Sequence, residues 1–155
     1  MKRFFQTDTE WFGLITRVFL GAVFLPHGLQ KTLGAFGGYG FSGTMEFMTG
    51  MGMPWIVALL VVAGESLGAL GLITGFLTRL SAFGIVAIMS GAIVMVHAKF
   101  GFFMNWFGNQ QGEGVEYHLL AMGMAFALLV GGAGRWSVDG FIARKIQGEI
   151  DERRG

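Results

Sequence analysis

Glu113, Glu116 and His118 stand close together at the head of a long apolar run, in the stretch GEGVEYHLLAMGMAFALL, residues 112–129. Imidazole and carboxylate are the side chains most used to take up and release protons in protein sites. Two more histidines, His27 and His97, and two charges inside other apolar runs, Arg17 and Glu65, extend the set. There is no cysteine, which removes disulfides, iron–sulfur clusters, zinc–thiolate sites and CxxC chemistry. Any redox role therefore places the electrons on a bound group or on a partner.

What positions these residues follows from composition. The chain is 53% hydrophobic and 14% charged, with a mean hydropathy of +0.58, whereas soluble domains carry about 25% charged residues. Such a chain cannot cover a water-soluble globule, so a membrane protein is expected. Four apolar segments, at about residues 11–30, 54–77, 80–97 and 115–134, each approach the roughly 20 residues needed to cross a hydrocarbon core of about 30 Å. Residues 135–155 form a tail, and residues 1–155 read as a single domain without internal repeats. Arg17 inside the first segment, with Asp8 and Glu10 before it, argues for a retained helix rather than a cleaved signal peptide. Lys2, Arg3, Arg79, Arg135, Arg144, Lys145, Arg153 and Arg154 fall on one side and only Lys31 and Lys99 on the other. The positive-inside rule then places both termini in the cytoplasm. The fold class expected is an all-α integral membrane four-helix bundle. In its first outer loop, SGTMEFMTGMGMPW forms a short interfacial helix capped by Ser42. In the tail, Trp136 is interfacial and Phe141, Ile142 and Ile146 face the membrane.

With that topology the polar residues gather by depth. Arg17 and Glu65 lie roughly 20 and 16 Å below the outer surface at 1.5 Å per residue. They are expected to pair, either as a structural bridge between helices one and two or as the polar floor of a site, because each alone is costly in lipid. Gly64, Gly68, Gly71 and Gly75 fall on one strip beside Glu65 and read as a helix-packing surface. His27, His97 and His118 share one outer layer, ringed by Lys31, Lys99, Glu113 and Glu116. Single histidines at membrane ends are usually interfacial; all three on one side suggests a shared site. The glutamates suit the positive end of the fourth helix dipole, with Glu113 at or near the cap. His118 is about 200° around that helix from Glu116 and is the residue expected to face inward.

Phe100, Phe102, Phe103, Trp106 and Phe107 lie directly over this layer. They read either as an aromatic belt or as a lid over a flat ligand such as a quinone. His27, His97, His118 and Asn105 would then donate to the carbonyls, with Trp106 and Glu116 also among the ligand-binding candidates. Haem is a weaker alternative because nothing fixes a pair of axial ligands. Copper(I) is another weak one, on the thioethers of Met45, Met48, Met51 and Met53.

The pieces RVFLGAVFLPHGLQK, AGESLGALGLITGFLTR, HAKFGFFMNWFGNQQGEGVEYHLL and GGAGRWSVD, in that order, resemble the DoxX family of small four-helix bacterial membrane proteins over about residues 13–142. The resemblance implies a place in the bacterial cytoplasmic (inner) membrane and association with oxidoreductase systems. Members include a thiosulfate:quinone oxidoreductase subunit, a partner of superoxide dismutase and sulfurtransferase, and proteins tied to quinone or catechol stress. The related MauE-type proteins assist disulfide formation, a chemistry that a chain without cysteine cannot carry out directly. Matched polar positions are Arg17, His27, Glu65, His97, Glu116 and His118. The expected function is a quinone-interacting membrane subunit with an outer-leaflet pocket. The alternatives are a non-catalytic scaffold that recruits a redox enzyme and, behind it, a small-molecule transporter. Expected partners are membrane lipids, an oxidoreductase subunit and other copies of the chain, with no nucleic acid.

Overall fold

A computed structural model describes residues 11–152, and these contain helices, turns and loops but no strand. The helices are α1 (Phe12–Leu33), α2 (Gly40–Gly50), α3 (Trp55–Thr74), α4 (Thr78–Phe100), α5 (Glu116–Gly131) and α6 (Val138–Glu152). The side assignments made for Lys2, Arg3, Arg153 and Arg154, and the reading of Asp8 and Glu10, lie outside the described residues. Three helices, α1, α3 and α4, are long and apolar enough to cross a membrane, and α5 is a shorter apolar helix of 16 residues. The boundaries shift where backbone chemistry decides them. α1 runs beyond Gln30 until Gly34 turns left-handed at φ 70°, and α5 stops before Gly132 at φ 75°. Both conformations suit glycine and stop a helix.

The chain threads α1, α3, α4 and α5 up and down, and their facing sides form one core. Leu20 and Phe24 of α1, Leu72 of α3, Ile85 and Met89 of α4, and Ala125 and Leu128 of α5 meet there. The opposite faces stay apolar too: Phe19, Leu60, Leu80, Leu120 and Val130 are all exposed, the pattern of helices whose outer solvent is lipid. The chain is thus a membrane protein. Its helices approach closely through small residues. A Cβ on Gly28 would stand 2.4 Å from the carbonyl oxygen of Glu65, and one on Gly64 would stand 2.6 Å from Ile88 of α4. The expected strip therefore packs on α4 through Gly64 and Gly71, while Gly75 lies beyond it and turns the chain at φ 71°.

α2 lies against α1 and α3. Its first turn has no side-chain cap, and Ser42 lies inside the helix rather than before it. Met45 and Met48 are buried with Ala58 and Val62, Met53 packs beside them, and Met51 is exposed. Three of the four thioethers are thus engaged in apolar packing, and that of Met51 is not.

At the end of the bundle where α3 gives way to α4, Arg17 is almost wholly buried. Its Nε donates to the carbonyl of Ala133 at 3.0 Å, and one terminal nitrogen donates to Leu72 at 3.2 Å and to Ile73. The other donates to Arg135 and Trp136 at 3.2 and 2.6 Å. Helix C-termini expose carbonyls without intrahelical partners and carry partial negative charge. A guanidinium with five donors suits them. Nearby, the Asp139 carboxylate accepts from the amides of Leu77 and Thr78 at 2.8 and 2.9 Å, at the N-terminus of α4. Ser137 accepts the Gly140 amide at 3.1 Å and so caps α6. The GGAGRWSVD segment is thereby tied to both α3 and α4.

Arg17→Lys keeps the charge but replaces a broad fork by one ammonium. Hydrogen bonds to charged groups contribute about 1.5–3 kcal/mol each, so a loss of roughly 2 kcal/mol or more is expected. It would appear as a lower unfolding midpoint in detergent, with Arg79→Lys, an exposed control, shifting it less. Equal midpoints for both variants would show that the buried fork does not hold the helix ends.

Candidate functional site

At the opposite end, two helices depart from α geometry where they carry an ionisable residue. Gly64–Gly68 of α3 is a π turn holding Glu65, and Ile93–His97 of α4 is a π turn ending on His97. Such turns re-aim side chains and recur at functional sites. Glu65 is buried and forms a salt bridge with Lys31 of α1. This corrects the expected Arg17–Glu65 pair. Arg17 carries its charge on a long stem to the carbonyls at its own end of the bundle, which leaves Glu65 to Lys31, one turn beyond the Gly28 contact.

His97 is fixed by its Nδ1, 2.8 Å from the carbonyl oxygen of Glu113. A carbonyl can only accept, so that nitrogen carries the proton and, in the neutral ring, Nε2 is left as acceptor. The His118 ring lies 4.1 Å from the His97 ring, centroid to centroid. His118 is 5% exposed. The Gly114 carbonyl acts on its ring, yet Nδ1 has no hydrogen-bond partner. Tyr117, next in the chain, also has a buried and unpartnered atom, its hydroxyl. Its ring stacks on Phe24 at 6.5 Å, meets His118 edge-on at 5.5 Å, and lies within the field of Glu65. Buried polar atoms are nearly always paired. Among the described residues three such side-chain atoms are not, and two of them are on these consecutive residues. The third, Thr78 Oγ1, is at the arginine end, as is a groove of about 480 Å³ lined by Thr78, Arg79 and Ser137.

The segment between α4 and α5 folds back on itself. The amides of Val115 and Glu116 donate to the carbonyls of Gly101 and Phe102 at 3.1 and 2.9 Å, so backbone rather than a carboxylate satisfies the start of α5. Glu116 instead accepts from the Met104 amide at 2.9 Å and from Trp106 Nε1 at 3.2 Å. Glu113 accepts from the Asn105 amide at 2.6 Å. The glutamates are loop clamps, which corrects the reading of Glu113 as a cap. Asn105 closes the loop through paired bonds with Gln110 at 3.0 Å. Trp106, Phe102, Phe103 and Phe107 are exposed, and His27 is exposed with its ring edge toward Phe24. Of the ligand candidates, the structure thus brings together His97 and His118. It holds Asn105, Trp106 and Glu116 within the loop and leaves His27 outside. It adds Lys31, Glu65 and Tyr117, the last missed although it stands beside His118 as a hydroxyl inside an apolar run.

The chain belongs to the DoxX family, whose sequence model matches residues 12–98, that is α1 to near the end of α4. It is similar to "Putative oxidoreductase CatD" of Bacillus subtilis (strain 168), 30% identical over 105 residues covering 68% of this chain and 71% of that protein. It is also similar to "Inner membrane protein YqjF" of Escherichia coli (strain K12), 26% identical over 137 residues, 85% of this chain and 92% of the relative. A match of that length has to take in residues of α5. No solved structure matches the chain.

The clamps predict a local effect. Glu116→Ala removes one acceptor from the Met104 amide and from Trp106. By the value of a charge-assisted bond, about 1.5–3 kcal/mol, hydrogen exchange at that amide should accelerate roughly tenfold or more while the amides of α3 are unchanged. Exchange at Met104 equal to that of the unaltered protein would show that the loop is held by other contacts.

Proposed function

We propose that this chain is the quinone-interacting membrane subunit of an oxidoreductase system, with the head group of a quinone or quinol bound beside His118. The observation that carries this is the Nδ1 of His118, buried against His97 without a hydrogen-bond partner, at the end of the bundle where Lys31 bridges the buried Glu65. Ionisable residues inside a membrane protein mark functional positions by default, and a buried acceptor or donor without a partner suits a ligand that brings one. Depending on its tautomer, His118 Nδ1 accepts from a quinol hydroxyl or donates to a quinone carbonyl. His97, held through Nδ1 by the Glu113 carbonyl, keeps the His118 ring in place. Lys31 and Glu65 would form the polar floor expected of Arg17 and Glu65. The oxidoreductase in the name of the Bacillus relative and the inner membrane in that of the Escherichia relative agree with this role and with the bacterial cytoplasmic membrane. Arg79, Arg135, Arg144 and Lys145 gather at the arginine end, so the histidine end would face outward and both termini the cytoplasm. Electrons would pass to a partner subunit, since the chain has no thiol of its own.

The exposed aromatics of the loop, Phe102, Phe103, Trp106 and Phe107, favour a second reading. Aromatic side chains are enriched where proteins dock, and a scaffold recruiting a redox enzyme would present them. The two readings separate on His118→Ala.

Purified in mild detergent and extracted into organic solvent, the protein should yield quinone in near-stoichiometric amount. His118→Ala, with an unchanged helical spectrum, should yield about tenfold less, the scale of one lost hydrogen bond of about 1.5 kcal/mol. No quinone above a control membrane protein, and none taken up after quinone is added back, would sink the quinone role and leave the scaffold.

A further inference from the structure

We propose that Tyr117 is the second hydrogen-bonding pole of the same site. The ligand head would then be a six-membered ring with oxygens at opposite ends, one met by His118 Nδ1 and the other by the Tyr117 hydroxyl. This rests on the site reading above and adds which ligand the site selects.

The argument begins with the cost of the hydroxyl. A buried polar group left without a partner costs about 1–3 kcal/mol, and the hydrocarbon around a membrane helix supplies no water to relieve it. Phenylalanine would fill the same space against Phe24 without that cost. The hydroxyl is nevertheless present, and it is buried with no partner. Its neighbour in sequence has the same property on Nδ1. The two rings are held edge to face at 5.5 Å, Tyr117 leaning on Phe24 of α1 and His118 on His97 of α4. Two unpartnered polar atoms therefore stand on consecutive residues of the first turn of α5, one ring against α1 and the other against α4. Phenol is a donor at ordinary pH, and His118 donates or accepts. Such a pair fits an oxygen at each end of one flat ring better than a ligand with a single polar atom.

Glu65 of α3 and the His118 ring act on this pole directly, with Lys31 of α1 behind Glu65 and His97 of α4 behind His118. His27 is exposed, Glu116 is bound to the loop, and Glu46 of α2 is exposed. Lys31 bridges Glu65, but the Glu65 carboxylate is the charge that acts on the hydroxyl, so a neutral ring is favoured over an anion.

The test uses the full chain in detergent under anaerobic conditions, with a short-tailed 1,4-benzoquinol and the matching phenol that lacks the second hydroxyl. Affinities come from titration calorimetry. The unaltered protein should bind the quinol at least about tenfold more tightly than the phenol. Tyr117→Phe should reduce that preference to about twofold or less and leave the unfolding midpoint equal or raised, because an unsatisfied hydroxyl has been removed. His118→Ala should weaken quinol binding. If His118→Ala weakens binding while Tyr117→Phe keeps the full preference, Tyr117 is not a pole and the site reading stands. If Tyr117→Phe lowers the unfolding midpoint substantially, the hydroxyl has a structural partner and the proposal fails. If neither probe binds, or His118→Ala binds as well as the unaltered protein, the site reading fails and this inference with it.

Discussion

The bundle depends on one guanidinium. In lipid no water is available for a carbonyl that its own helix leaves free, and the arginine end has several: the last turn of α3 and the irregular segment after α5. Arg17 bonds to five of them. A burial that would be costly for a lone cation becomes a fixed point. Through it α1 is set in register with α3, and eleven residues further along Gly28 presses against the backbone of Glu65 and Ser66. One turn beyond Gly28, Lys31 meets Glu65. The polar group at the histidine end therefore takes its alignment from a contact about 21 Å away along α1.

Much of this was legible from residue types. Long apolar runs interrupted by glycine and a single charge give helices in a membrane, and the glycines of α3 give its packing on α4. The inward face of His118 followed from a rotation of 100° per residue. The partners of the charges were not legible, for a physical reason. Helix register sets the depth of a Cα, while the charge of an arginine or lysine sits several bonds away and moves toward whichever acceptor is nearer. Arg17 took the carbonyls at its own end, and Glu65 took Lys31. Glu113 and Glu116 misled in another way. Carboxylates at a helix start suit the dipole, but here the paired arms of the loop, 101–103 against 114–116, already satisfy the first amides. The carboxylates were left to hold the outside of the loop. That pairing needs Gly114, where a Cβ would lie 2.4 Å from the Phe103 carbonyl oxygen.

The polar cluster is built from departures from regular helix. Without the π turns of α3 and α4, Glu65 and His97 would lie at other angles on their helices. A chain can thus bring ionisable groups together while each helix still satisfies its backbone internally, which lipid requires. The family relationship spans these helices. The absence of thiols assigns any electron-handling to bound or neighbouring molecules, and leaves the protein's own side chains with binding, orientation and proton exchange.

α5 has 16 residues and so a length of about 24 Å, against a hydrocarbon thickness of about 30 Å. A stretch shorter than its bilayer draws the lipid surface toward it or lets flanking residues fill the gap. A bilayer that thins to the length of α5 would dip beside it and bring the lipid surface down to the aromatic loop. An amphiphile diffusing within the leaflet would then reach the level of His118 and Tyr117 sideways, with its tail still among lipid chains.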